Sequence, residues 1–236
     1  MAMDGGTAIV LCGGLGKRLR GVLGEHTPKA LAPVRGRPFL AYLLDQLVDA
    51  KAERIILCTG WRGARIRAFA RKSWRGIPLV YSHEYAPIGT AGALRLAANH
   101  LGTADPVLVV NGDTFVESGP ATVWRRFHGE PRANLMLGFV QVQNAARYQT
   151  VVLDMGTNQV VELPRGRVGR QFVSTGIVVL RRSVLGTMLP EDSSFDLDVL
   201  PQWTRRGLYG TYLVGDFVDV GTPETYKAAQ GMPLAP

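Results

Sequence analysis

Short apolar runs alternate with segments of helical spacing through the first half of the chain. The pattern predicts strands over Thr7–Leu11, Arg54–Cys58, Leu79–Ser82 and Val107–Asn111, each a compact apolar stretch closed by glycine or polar residues. Between them, apolar residues at i, i+3 and i+4 predict helices over Phe39–Ala50, Gly63–Arg71 and Thr90–His100. A helix over Gly119–His128 and a strand over Ala133–Val140 continue the series. Regular strand–helix alternation calls for right-handed crossovers and a parallel sheet covered on both faces.

The second half is less regular. Val151–Met155 and Val160–Glu162 flank a G-T-N turn, and Arg165–Arg170 is a basic, glycine-rich loop. Strands are expected at Thr175–Leu180, Leu208–Leu213 and Phe217–Val220, and helices at Ser183–Met188 and Leu197–Arg206. Pro223 suits the first turn of a last helix through Gln230, and residues 231–236 read as a frayed tail. With no repeat or linker, residues 1–230 form one α/β unit. It is a Rossmann-like sandwich with a mostly parallel central sheet, helices on both faces and a smaller lobe. Its halves run over about 1–115 and 116–230.

Composition narrows the class. The 236 residues are 46% apolar, and no run approaches the roughly 20 residues that span a bilayer. The first residues carry no basic or apolar leader pattern, and Cys12 and Cys58 read as small buried hydrophobes, so a reducing, cytoplasmic location is expected without membrane partners. No Cys/His spacing suits a metal, and His26, His83, His100 and His128 share no spacing. A net charge of +8 favours anionic ligands. Part of it lies on the arginine-rich segment from Arg62 to Arg75, whose Ile66, Phe69 and Ala70 form a buried stripe and leave the cations in solvent. No nucleic-acid motif accompanies them.

Three stretches carry candidate chemistry. Gly13-Gly14-Leu15-Gly16-Lys17-Arg18, then Pro28-Lys29, lies between the first strand, ending at Leu11, and the first helix. Backbone amides at Gly13, Gly14 and Gly16 can close on an anion, Arg18 can grip phosphate bidentately and Lys29 supplies a point charge. The pattern fits neither the dinucleotide fingerprint nor the Walker loop, which needs a hydroxyl after its lysine. Asn111-Gly112-Asp113 closes a strand on the same sheet edge, and Asp113 is either a magnesium ligand or a solvated turn residue. Asp219 sits in an apolar strand and needs a cation or donors, whereas Thr222 and Glu224 read as a helix cap. Gly89, Thr90 and Gly92 open a helix; their small size suits either close ligand approach or tight packing on the sheet.

Together these stations resemble the sugar nucleotidyltransferase (nucleoside-diphosphate-sugar pyrophosphorylase) family from near the start to about Gln230. The matching runs are G-G-L-G-K-R-L-R, T-P-K-A-L-A-P-V, P-I-G-T-A-G-A-L, N-G-D, R-Y, S-T-G-I, S-F-D-L-D and F-V-D-V-G-T-P-E-T-Y. The length and the run L-A-P-V-R-G-R-P-F-L-A-Y-L-L-D-Q-L are most similar to heptose-1-phosphate guanylyltransferases. The resemblance implies attack of a sugar 1-phosphate on the α-phosphorus of a nucleoside triphosphate, giving nucleotide-sugar and pyrophosphate. It implies GTP and a manno-configured heptose 1-phosphate as substrates, within lipopolysaccharide, capsule or related synthesis. It assigns the triphosphate to Arg18, the α-phosphate to Lys29 and Mg2+ to Asp113 and Asp219. The nucleotide falls to Leu11, Gly13, Gly14, Gly16, Gly89, Thr90, Gly92, Asn111 and Gly112. The sugar phosphate falls to Glu162, Thr175 and Gly176.

Departures from the family pattern cluster on the sugar side. Gln149 stands for glycine after Arg147-Tyr148, Leu163 for the lysine after Glu162, and Asp196-Leu197-Asp198 for E-K-D; Arg165, Arg167 or Arg170 could supply the missing cation. Residues alone leave guanine, thymine and cytosine open as the base, and mannose or glucose 1-phosphate as the sugar. They also leave open a homo-oligomer, a nucleotide-sugar-binding domain without turnover, and a non-specific polyanion binder.

Overall fold

A computed structural model describes Met3, residues 6–191, residues 193–232 and Leu234. Met1, Ala2, Asp4 and Gly5 of the stretch read for a leader lie outside the described residues, as do Pro233, Ala235 and Pro236 of the tail.

Eight strands make one central sheet. Thr7–Leu11 lies between Arg54–Thr59 and Val107–Asn111, parallel to both, and Ile77–His83 extends the parallel set beside Arg54–Thr59. Ser73–Trp74 closes that edge antiparallel. The long strand Gln171–Leu180 runs antiparallel between Val107–Asn111 and Leu135–Val142, and Leu208–Tyr212 finishes the other edge parallel to Leu135–Val142. The second half therefore completes the same sheet. Three two-stranded ladders stand off it among the described residues: Val152–Leu153 with Val160–Glu162, Thr114–Val116 with Phe217–Asp219, and Pro33–Val34 with Arg37–Pro38.

Strand alternation sorts side chains to the two faces. Ala8 and Val10 enter a core with Leu44, Leu47, Trp124 and Phe127, whereas Ile9 enters the opposite one with Ile56, Leu94, Val109 and Phe195. The helices Phe39–Asp49 and Gly119–His128 contribute to the first face and Gly89–Ala97 to the second. All four parallel strands end at one sheet edge, where open α/β sheets form their ligand crevices.

Two expectations are corrected. Leu197–Arg206 is not one helix. A π-helical turn at Phe195–Val199 gives way to a 3-10 turn at Leu200–Trp203, because Pro201 removes a backbone donor. The tail is not frayed through its described part, since Leu234 is buried with Val34, Phe39 and Phe115, and Met232 packs against them.

Candidate active site

The first cavity, about 290 Å³, opens at the carboxyl ends of the parallel strands. Leu11, Cys12, Cys58, Thr59 and Ser82 line it from the strands, and Gly13, Gly14 and Leu15 from the glycine loop. Gly89, Thr90 and Ala93 close it from the helix, and Asn111, Gly112 and Asp113 from the strand end. Gly112 must lack a side chain, because a Cβ there would lie 2.6 Å from the Leu11 carbonyl oxygen; its N–H bonds that oxygen at 2.9 Å. Gly89 has φ of 73° and abuts the Ser193 carbonyl, which accepts from the Ala91 N–H at 3.2 Å. Gly16 and Gly92 do not line the cavity. Gly16 packs on the Lys29 side chain and Gly92 makes room for Ile88. For Gly92 tight packing is thus the observed role.

Glu84 and Ser82 of this cavity are not among the residues singled out from sequence. Glu84 follows the Ile77–His83 strand, and both Gly13 and Gly60 make room for it: a Cβ on either would meet its Oε1, at 3.1 and 2.6 Å. Its Oε2 accepts from the Ile88 N–H at 3.4 Å, and burial pushes its carboxyl pKa up. Ser82 is buried and its Oγ has no hydrogen-bond partner. An acceptor carboxylate thus lines a mostly apolar cavity, with an unpartnered buried hydroxyl in its wall. The sequence signal is S-H-E at a predicted strand end, two residues before P-I-G-T-A-G. Cys12 and Cys58 also line it, their thiol pKa values raised by burial, that of Cys12 to about 12.

A second cavity, about 240 Å³, shares Asn111 and Asp113 with the first. Arg18, Arg147, Tyr148, Gln149, Arg165, Asp196 and Asp219 line it with Thr175 and Gly176. Arg18 thus lines the second cavity and not the first. Lys29 donates to Asp113, and Arg147 donates to Asp219 at 2.8 Å. The two aspartates are brought together by the small ladder, in which Asp219 pairs with Thr114 and the Val220 N–H bonds the Asp113 carbonyl at 2.9 Å. Asp196, unassigned from sequence, has its pKa raised to about 6 by burial and the Asp113 charge, partly offset by Arg165. The Gln149 amide donates to the Asp196 carbonyl at 2.7 Å, leaving its own buried Oε1 without a partner.

Not every expected sugar-side residue reaches this cavity. Glu162 and Arg167 stand outside its lining; their side chains are 59% and 49% exposed and meet at 3.9 Å. Arg170 also lies outside the lining, so Arg165 is the one member of that arginine trio within it. Thr175 turns its hydroxyl to the Gly138 carbonyl at 2.7 Å and presents backbone to the cavity. Gly176, with φ of 71°, admits the Asn111 side chain, so its lack of a Cβ serves Asn111.

Two carboxylates are a hard oxygen donor set that suits a divalent cation sharing its shell with phosphate oxygens. Among the described residues no group of three or more metal-ligating side chains exists, so phosphate oxygens and water would complete that shell. Among the described residues no helix is long and apolar enough to cross a membrane.

Comparison with known proteins agrees with this architecture. The nucleotidyl transferase family model matches residues 7–232. A D-glycero-alpha-D-manno-heptose 1-phosphate guanylyltransferase of Aneurinibacillus thermoaerophilus is 31% identical over 94% of this chain and 96% of its own. A Drosophila melanogaster mannose-1-phosphate guanylyltransferase catalytic subunit beta is 30% identical over 94% of this chain, which spans 61% of that relative. The crystal structure of HddC from Yersinia pseudotuberculosis complexed with GMP-PN superposes with a TM-score of 0.81 at 28% identity, covering 95% of this chain and 97% of that one. The chain belongs to the nucleotidyl transferase family.

Proposed function

We propose that this sugar-phosphate nucleotidyltransferase is a guanylyltransferase that transfers the GMP unit of GTP to a manno-configured heptose 1-phosphate and releases pyrophosphate. The observation that carries the base assignment is the Glu84 carboxylate in the first cavity. Guanine presents N1–H and the N2 amino group side by side, and a carboxylate accepts from both. Uracil and thymine flank their one N–H with carbonyl oxygens, which a carboxylate repels. Cytosine and adenine place a bare ring nitrogen next to their amino group. The heptose assignment follows the relatives named above; mannose 1-phosphate is the second reading, supported by the Drosophila relative.

In this reading the base lies on the Gly13–Gly14 loop and the helix opening at Gly89, with the triphosphate running past Lys29 toward Arg18. Asp113 and Asp219 would hold Mg2+, which would neutralise phosphate charge. The sugar phosphate enters the second cavity, where Arg165 supplies a forked contact. A phosphate monoester is largely dianionic near neutral pH, so its oxygen attacks the α-phosphorus without a general base. The new P–O bond forms as the bond to the β-phosphate oxygen breaks and pyrophosphate leaves. The chain's task is positioning and charge stabilisation. Glu162 serves this site only if the Val160–Glu162 ladder moves toward the cavity.

Pyrophosphate release from four nucleoside triphosphates against heptose, mannose and glucose 1-phosphates, with Mg2+, tests the assignment. GTP with the heptose phosphate is the expected pair. Glu84→Gln should lower kcat/KM for GTP by about a hundredfold or more, since a site built around a substrate donor leaves polar groups unpaired when the match is lost. Equal turnover of UTP or thymidine triphosphate by the wild type would overturn the base assignment. Nucleotide binding without turnover across the panel would favour a binding domain.

A further inference from the structure

The second cavity carries three arginines, Arg18, Arg147 and Arg165, and three carboxylates, Asp113, Asp196 and Asp219. Their formal charges cancel, which gives a dianionic phosphate little reason to enter. Arg147 is the best-placed cation to change that balance. Its guanidinium bonds Asp219 at 2.8 Å, Thr222 Oγ1 at 3.3 Å, Thr225 Oγ1 at 3.4 Å and the Tyr148 hydroxyl, and lies 4.5 Å from the Tyr148 ring centroid. It is the more exposed member of the ion pair, 31% against 11% for Asp219, whose other oxygen accepts from the Gly221 N–H. A guanidinium with neutral hydroxyl partners beside its carboxylate can give up the charged contact while staying oriented.

We propose that Arg147 is the resident counter-ion of Asp219 and a positioning cation for the sugar phosphate: a divalent cation entering at Asp219 displaces it, and it then grips the incoming phosphate. The inference rests on the reading of Asp219 as a cation ligand. Its consequence is an order of events, with cation before sugar phosphate. A divalent cation at Asp113 and Asp219 replaces Lys29 and Arg147 as their partners and leaves both cations unpaired beside the phosphate path. A purely structural Arg147, capping the helix Pro223–Ala229 through Thr222 and Thr225, would not tie cation affinity to sugar-phosphate affinity.

The test is Mn2+ alone, titrated into the enzyme and followed by electron paramagnetic resonance, beside steady-state kinetics. Arg147→Gln should bind Mn2+ about tenfold more tightly and raise the KM for the sugar 1-phosphate by about tenfold or more, the scale of one charge-assisted contact. The KM for the nucleotide should stay within about twofold, because Arg147 does not line the first cavity. Adding Asp219→Asn to Arg147→Gln should abolish the gain in Mn2+ affinity. Unchanged or weaker Mn2+ binding in Arg147→Gln, with weaker binding in Asp219→Asn, would overturn the exchange and leave Asp219 as a cation ligand. Asp219→Asn without effect on Mn2+ would remove that underlying reading. If Arg147→Gln does not fold, Arg147→Lys keeps the charge and loses the fork. It should keep wild-type Mn2+ affinity and raise the sugar-phosphate KM, and an unchanged KM would overturn the inference.

Discussion

Lys29 and Asp113 lie 84 residues apart in sequence and form an ion pair where the two cavities meet. Lys29 follows Pro28 at the end of the loop begun by the glycines; Asp113 lies two residues past the end of Val107–Asn111, the strand beside the first. The ammonium is therefore held at the sheet edge, at the junction that the reacting phosphates would cross in the proposed reaction. A lysine that stabilises charge only as it develops should act on kcat. Lys29→Ala is expected to lower kcat by about 10²–10³-fold while leaving the KM for GTP within a few-fold. If Lys29 only balances Asp113, the variant would instead raise the Mg2+ requirement and keep kcat at saturating Mg2+. Pyrophosphate release across a Mg2+ series distinguishes the two.

The glycines of the first cavity differ in why they are there, and substitution should expose the difference. Gly89 combines positive φ with a carbonyl in the space of its missing Cβ. Gly89→Ala should therefore destabilise the protein by about 2–3 kcal/mol and weaken GTP binding with it. Gly14 has open space around it and an unstrained φ, yet lines the cavity. Gly14→Ala should leave the urea midpoint within about 0.5 kcal/mol of wild type and raise the KM for GTP, because the added methyl stands where the ligand approaches. A large stability loss at Gly14 would mean that the loop is tied to the fold more tightly than its contacts show.

Much of this was legible in the chain. Thr7–Leu11, Val107–Asn111, Gly119–His128 and Val160–Glu162 stand as their periodicity predicts, because short apolar runs with clear punctuation leave little for tertiary context to decide. Gly13, Gly14, Asn111 and Asp113 reach one cavity because strand ends in a parallel sheet share an edge. The residues less visible were those fixed by neighbours distant in sequence. Glu84 gains its meaning from Gly13 and Gly60, and Asp196 from Gln149 and Asp113. Gly176 showed the opposite limit: its freedom was legible, but that it serves Asn111 depends on a strand 65 positions earlier.

Asp196 provides a prediction in which stability and activity part. Its folded pKa is raised from 3.8 to about 6 by burial and by the Asp113 charge. Between pH 4 and 6 the folded state therefore holds more protons than the unfolded one, and this group's contribution to stability falls as pH rises through that window. Above pH 6 it stays ionised at a cost on the order of 2 kcal/mol. Asp196→Asn should accordingly be more stable than wild type at pH 7.5, with the advantage fading toward pH 4. The same change replaces a charged acceptor of the second cavity with a neutral amide, which accepts more weakly from sugar hydroxyls, so kcat should fall. Chemical denaturation at pH 7.5 and pH 4.5, with kinetics on the same preparations, is the measurement. A variant of unchanged stability at both pH values would show Asp196 to be well solvated, and one of unchanged activity would remove it from the substrate site.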